Sequence, residues 1–366
     1  MPRRIGHRYH GVVTLAPIPL LRVRGTHREV GAQIGAARAD VLRDATAFPD
    51  GAVPAGRGRR GQLALAERYR ELTAAAYPWY IEELEGAAEA AGVDALALFA
   101  LATEEIWYEP RARPAKGRCT DLVAVPPATA DERVLVAHNN DLSRAYQERL
   151  VAIEWRVEDD PTILSVGDGI WISVGWSSTG LSLTGNELSP NDEKIGIPRE
   201  VNVRAMLRQP TLDMMTGEAL RHDRASSYND VLVSRRGDVV NVEGSATAAE
   251  LTGVDERGTL VHTNHYVCES MLRYEGDPAY AKRSATRYRR ARELLARQAP
   301  GTVTAQGLRE ILSDHENAPD SLCRHPERWG GESATVFWCV ADMTDLRIMF
   351  GGGNPCDSVA QEYVFG

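Results

Sequence analysis

At Cys119 the hydrophobic pattern of this 366-residue chain changes period, and with it the kind of structure the chain can build. Residues 27–106 are rich in Ala, Leu, Glu and Arg and carry apolar residues at helical spacing. In "REVGAQIGAARADVLRDATAF" Val30, Ile34, Ala37, Val41 and Leu42 fall on one stripe, and "LALAERYRELTAAAYPWYIEELEGAAEAAGV" continues the pattern. From Cys119 onward the chain reads as short β-branched runs separated by Gly, Asp or Pro: "DLVAV", "RVLVAHN", "LVAIEWRV", "TILSVG", "GLSLTGN", "NDVLVSRRGDVVNVEG" and "GTLVHTNH". The sixth run predicts a hairpin across Arg236, Gly237 and Asp238. Helical spacing returns at 279–297 and 304–313, and "ATVFWCVADMTDLRIMFGG" and "AQEYVFG" are the last strands. Helices, strands, helices, strands predict an α+β fold with a mostly antiparallel sheet core.

Two segments punctuate the helical half. "PDGAVPAGRGRRG" (49–61) reads as a loop. Residues Glu109 to Arg118 hold two prolines, a glycine and five charges, the composition of an exposed linker.

The net charge of −9 argues against a nucleic-acid-binding body. No run of about 18 apolar residues occurs, so no membrane-spanning helix is expected. The N-terminus "MPRRIGHRYHGVVTLAPIPLL" is broken by Gly6 and His7 to Gly11 before any secretory core forms, and its apolar part reads as a strand. The chain is therefore expected in the cytoplasm. Its five cysteines are odd in number, widely spaced and free of any C-x-x-C, which excludes a zinc knuckle and argues against a disulfide framework. Cys268, Cys323, Cys339 and Cys356 read as small buried hydrophobes.

Cys119 differs, because it stands where the basic, Pro/Gly-rich linker meets the apolar run Leu-Val-Ala-Val. It either opens a strand as a small buried residue or becomes a chain terminus. Were the bond before it cut, one residue would carry both a thiol and a free α-amine. With a pKa near 8, that amine is a general base at neutral pH without any histidine.

"CTDLVAVPPATADERVLVAHNNDL" resembles the opening of the catalytic chain in the isopenicillin N acyltransferase family of autoproteolytic N-terminal nucleophile (Ntn) cysteine hydrolases. "LLRVRGTHREVGAQIGAARADVL", "GLSLTGNEL", "RASSYNDVLV", "VVNVEGS", "LVHTNHYV", "LSDHENAPDSLCRHP", "TVFWCVADM" and "GGGNPCDSVAQEYVF" follow in the family's order, so the resemblance covers most of the chain. It implies a four-layer αββα sandwich and a single domain, 1–366. That domain would be processed into a mostly helical 1–118 chain and a catalytic 119–366 chain that stay associated.

The resemblance also assigns roles. Arg118–Cys119 is the scissile bond, Cys119 the nucleophile and Asn264 the oxyanion-hole donor. Asp141 tunes the α-amine, and Thr120 packs or bonds near the nucleophile. Asp121 and Asn139 fall in the site, with Ser321 near it and Arg324 placed to hold a substrate carboxylate. The substrate implied is a small N-acyl compound, cleaved or transferred through a thioester, with no cofactor and no metal. A homo-oligomer is left open.

Three positions depart from the family pattern. Arg118 stands where glycine often precedes the cysteine, Asp121 where the penicillin enzyme has threonine, and Ser177 where many members have asparagine. The last two are expected to line the pocket.

Other readings stand beside this one. His262 and His265 are spaced as a metal pair but have no third ligand nearby. Glu243 reaches the pocket or pairs with an arginine, and Asp314 and His315 end a helix. An uncut Cys/His thiol hydrolase would use His265 as base. A non-catalytic binding protein would need neither a cut nor a reactive thiol.

Overall fold

The computed structural model describes residues 17–48, 57–107, 118–331 and 333–366. The basic N-terminus, the tip of the 49–61 loop and most of the 109–118 linker lie outside these residues. The chain begins with β1 (Leu20–Gly25) and helices α1 (His27–Ala37), α2 (Ala39–Thr46), α3 (Gly58–Ala76), α4 (Pro78–Ala91) and α5 (Ala95–Ala102). Strands β2 (Arg118–Ala124), β3 (Leu135–Leu142), β4 (Val151–Val157), β5 (Ile163–Gly167), β6 (Ile172–Ser177) and β7 (Leu181–Asn186) follow. Helices α6 (Arg199–Leu207) and α7 (Leu212–Ala219) lead into β8 (Asn229–Ser234), β9 (Val239–Gly244), β10 (Ala249–Thr252) and β11 (Thr259–His262). The chain closes with α8 (Pro278–Ala296), α9 (Ala305–Leu312), α10 (Pro326–Trp329), β12 (Ala334–Asp342), β13 (Arg347–Gly352) and β14 (Gln361–Val364).

The strands form two sheets, one ordered β1-β4-β5-β6-β7-β8-β9-β10 and the other β11-β2-β3-β12-β13-β14. Among the described residues every pair is antiparallel except β1 with β4. Side-chain alternation assigns the layers. Val123 and Val136 of the six-stranded sheet pack against Val166, Trp176, Val231 and Val233 of the eight-stranded one. On the far side of the six-stranded sheet, Leu122, Ala137 and Trp338 meet Leu295, Leu308 and Leu312 of α8 and α9. Across the molecule Ile153, Trp155 and Leu183 meet Val30, Ile34, Val203 and Leu207 of α1 and α6. The architecture is αββα, the four layers that the resemblance implied. Helices α2 to α5 add a further apolar cluster, which Val201 and Ala205 of α6 join.

The predicted hairpin is β8–β9, with Gly237 in the left-handed region at φ +92°. The stripe predicted through Leu42 is interrupted. The first helix ends at Ala37, which is exposed, Arg38 caps it, and Leu42 is buried on the next helix. Helix α6 gave no amphipathic signal because every one of its residues is buried, so no face is polar.

Two glycines explain how close α1 and α4 come. A Cβ on Gly31 would sit 1.8 Å from the Glu83 carbonyl oxygen, and one on Gly86 2.2 Å from that of Arg28. Gly31→Ala is expected to cost about 1–3 kcal/mol through backbone displacement. Gly217→Ala, on an exposed face of α7 with open space at the Cβ, should hold or raise stability by up to ~1 kcal/mol. Urea midpoints of the two variants check both.

Candidate active site around Cys119

The two-residue period of β2 decides where each of its side chains goes. Cys119, Asp121 and Val123 point between the sheets, whereas Arg118, Thr120 and Leu122 point to the α8/α9 layer. Cys119 pairs in register with Asn140, whose Nδ2 donates to the Cys119 Sγ at 3.6 Å and to the Ser173 Oγ at 2.7 Å. The thiol opens into a cavity of about 420 Å³. Its walls include Leu142, Tyr146, Trp171, Leu183 and Tyr228 together with Arg149, Asp168 and Asp230. Burial pushes the Asp230 carboxyl up to about 6, against the pull of Arg199 and Arg224.

Strand β11 runs beside β2 with His262 opposite Asp121, so the turn after it delivers Asn264 to the head of β2. The Cys119 backbone N–H donates to Asn264 Oδ1 at 2.7 Å, and Arg287 Nη2 donates to the same oxygen at 2.5 Å. Two donors facing one end of the amide fix its orientation, since only the oxygen can accept both. Asn264 Nδ2 donates to the Glu187 carbonyl at 3.0 Å, and Glu187 lines the cavity. Asn264 thus grips the backbone nitrogen of Cys119, a contact that the expectation of an oxyanion donor did not contain.

Asp121 and His138 are the second finding on the inner face. They are cross-strand partners with no solvent exposure, and His138 Nδ1 lies 2.9 Å from Asp121 Oδ1. Burial opposes charge on the imidazole, yet Asp121 and the neighbouring Cys119 thiol lift it to about 10. Sequence reasoning missed His138, although the β2–β3 register that pairs Cys119 with Asn140 also pairs Asp121 with His138. Asp121 does not line the cavity as expected, because its carboxylate is taken up by this pair. Nor does Ser177, which is buried on β6 with its hydroxyl 2.6 Å from that of Thr179.

The remaining expected residues gather on the outer face of the sheet, not in the cavity. Asp141 is fully buried and accepts from Thr335 Oγ1 at 2.6 Å, while burial raises its carboxyl against the pull of Arg324 and Arg287. Thr120 Oγ1 is buried with no hydrogen-bond partner among the described residues. Asn139 Nδ2 donates to the carbonyls of Leu312 and Leu322, both at 2.9 Å, pinning β3 to the end of α9 and the loop beyond. Ser321 Oγ donates to the Cys323 carbonyl at 2.6 Å. Arg118 donates to Asp320 at 3.1 Å, and Arg324 ion-pairs with the same carboxylate at 3.5 Å. Burial pushes the Arg324 guanidinium down to about 10, against the pull of Asp141. Asn139, Ser321 and Arg324 thus make buried contacts behind the strand that carries Cys119 and do not line the cavity.

His262 is held between Glu243 Oε1 at 2.8 Å and Asn186 Oδ1 at 2.9 Å, so Glu243 pairs with a histidine rather than an arginine and does not line the Cys119 cavity. His265 sits with Ser284, Thr263 and Tyr288, and burial lowers it to about 4. It does not line the Cys119 cavity.

A profile described as acyl-coenzyme A:6-aminopenicillanic acid acyl-transferase matches residues 128–357, well over half of the chain. The chain belongs to that family. The matched region contains Asp141, Asn264, Ser321 and Arg324 and starts beyond Cys119. Similar solved structures include a mutant of conjugated bile acid hydrolase from Clostridium perfringens and penicillin V acylase from Agrobacterium tumefaciens. The first is 11% identical, with a TM-score of 0.44 over 68% of this chain and 97% of that one. The second is 14% identical, with a TM-score of 0.44 over 68% and 86%.

The Asp121–His138 pair makes a pH-dependent prediction. An imidazole at about 10 when folded and about 6.5 when unfolded stabilises the fold fully below about pH 6.5, and that contribution is lost as pH rises through about 10. In a Cys119→Ala background, Asp121→Asn is expected to cost about 3–5 kcal/mol at pH 6 and progressively less towards pH 10. Urea unfolding at a series of pH values measures the difference.

Proposed function

We propose that the Cys119 thiol cuts the chain before itself and then, with its freed amine as base, cleaves or transfers the acyl group of a small amide. Membership of an acyltransferase family supports acyl chemistry. The observation that carries the finer reading is the double hold on Cys119, its nitrogen fixed by Asn264 while its sulfur faces the cavity.

The steps balance without an added cofactor. In the uncut chain the thiol adds to the Arg118 carbonyl, the C–N bond breaks, and the acyl group moves to sulfur as the nitrogen takes the thiol proton. Water then hydrolyses the thioester and leaves Arg118 as a carboxylate. The Cys119 amine inherits the place of the amide at Asn264 Oδ1. It takes the thiol proton when Sγ attacks a substrate carbonyl and returns it to the departing amine. Asn264 Nδ2 has a second hydrogen beyond the one given to Glu187, and that hydrogen serves the oxyanion. The His138 imidazolium, set by Asp121, adds positive charge behind the thiol and favours the thiolate.

A cavity of about 420 Å³ falls in the range of small-molecule sites, and its aromatic and aliphatic lining suits an acyl chain. Arg149, Asp168 and Asp230 supply charge for the rest of the substrate. Segment 1–118 stays bound after the cut. Its β1 pairs along the length of β4, Glu83 ion-pairs with Arg204, and Glu105 accepts from the Arg199 backbone and from Ser226.

Intact mass under denaturing conditions tests the cut. Wild type is expected as two pieces, 1–118 and 119–366, that co-elute as one particle under native conditions, and Cys119→Ala as one uncut chain. A wild type that stays whole contradicts the proposal. Asn264→Ala, once cut, is expected to lose about 10²–10³ in kcat on amide substrates.

A further inference from the structure

Four side chains from two loops converge on the outer side of the six-stranded sheet, apart from the Cys119 cavity. They are His315, in the loop after α9, Cys323 and His325 on either side of Arg324, and Cys356 in the loop after β13. One donor atom from each lies within 4.8 Å of all the others. The Cys323 and Cys356 sulfurs are 3.7 Å apart, and His325 Nε2 is 3.4 Å from the first and 3.3 Å from the second. A tetrahedral zinc ion with Zn–S near 2.3 Å and Zn–N near 2.0–2.1 Å has ligand edges of about 3.8 Å between sulfurs and about 3.6 Å between sulfur and nitrogen. Those three edges are within a few tenths of an ångström of these values, and the His315 donor lies within 4.8 Å of each of the other three.

We infer that His315, Cys323, His325 and Cys356 form a structural zinc site.

Independent features of the surroundings agree. His315 Nε2 is buried and has no hydrogen-bond partner among the described residues, a state that costs free energy unless the nitrogen meets a ligand. His325 Nδ1 sits 3.0 Å from Glu327 Oε1, so a carboxylate orients the ring with Nε2 turned to the sulfurs, as carboxylates do behind zinc-bound histidines. Asn354 Nδ2 donates to the Cys323 sulfur at 3.3 Å and so supports a thiolate there. Two thiolates with two imidazoles select zinc over the oxygen-seeking magnesium and calcium. Four protein donors leave no open position, so the ion binds structure and does not touch substrate. Binding displaces the thiol protons of Cys323 and Cys356 to solvent.

The site has a purpose within this fold. Cys323 and His325 flank Arg324, and Asn354 Nδ2 also donates to the Arg324 carbonyl at 2.8 Å. The Arg324 nitrogen donates to Thr335 Oγ1, which in turn bonds Asp141. The ion thereby clamps the loop after α9 to the loop after β13 and fixes Arg324 beneath the strand that carries Asp141. Cys356 is exposed, which gives the ion a way in and out.

Elemental analysis and native mass spectrometry of the purified full chain test this. One zinc ion per chain is expected, lost in Cys356→Ser and retained in Cys268→Ala, whose thiol lies outside the cluster. Replacing the wild-type zinc with cobalt(II) should give the intense ligand-field absorption of a tetrahedral thiolate site, which does not depend on any variant folding. Removing the ion with a chelator should lower the thermal midpoint by ~5 °C or more, and added zinc should restore it. A wild-type chain that stays metal-free after equilibration with zinc, or that is isolated with a Cys323–Cys356 disulfide, overturns the inference.

Discussion

One hydrogen bond organises the candidate site, the one from the Cys119 amide to Asn264 Oδ1. A strand residue's nitrogen would ordinarily be committed to a neighbouring strand, and here a side chain from beyond the end of β11 takes it. That contact holds the backbone of Cys119 at the head of β2 while alternation turns its sulfur into the space between the sheets. Nitrogen and sulfur of one residue are thus presented separately, as a residue that is both base and nucleophile requires.

The sheet divides the surrounding chemistry in two. Inside, around the thiol, are Asn140, the Asp121–His138 pair and the cavity. Outside, behind the strand, Arg118, Arg287 and Arg324 surround the buried Asp141. The outer layer presents nothing to the cavity, yet it sets the electrostatic background and the rigidity of β2 and β3. Buried charges of this kind are costly unless they are held in place. The Asn139 bonds to two carbonyls and the cluster around Cys323 and Cys356 hold the loop that carries Arg324.

Much of the architecture was legible because period and layer are linked. Strands β2, β3, β4 and β8 alternate or run apolar as sheet interiors do, and α8 and α9 carry one-sided stripes. Helix α6 was invisible because it is buried all round, and β10 because it is a four-residue edge strand with mostly exposed side chains. At the site, the position of Cys119 at the change of pattern was informative, whereas side-chain direction was not. Asn139, Asp141 and Thr120 are adjacent in sequence or register to residues facing the thiol but point the other way. His138 and the convergence of His315, Cys323, His325 and Cys356 depend on strand register and loop packing. Cys323 is buried as the sequence suggested, whereas Cys356 is exposed, and their spacing in sequence resembles no short metal motif that would have signalled the approach of their sulfurs.

The central claim is that in the active protein Cys119 carries a thiol and a free α-amine on one residue. A cyanobenzothiazole condenses with such a 1,2-aminothiol to a stable thiazoline and leaves internal cysteines unmodified. The account predicts a single adduct on residue 119 of the native protein, formed together with loss of amidase or acyltransferase activity. An active protein whose Cys119 is alkylated by iodoacetamide but never forms the thiazoline would contradict it.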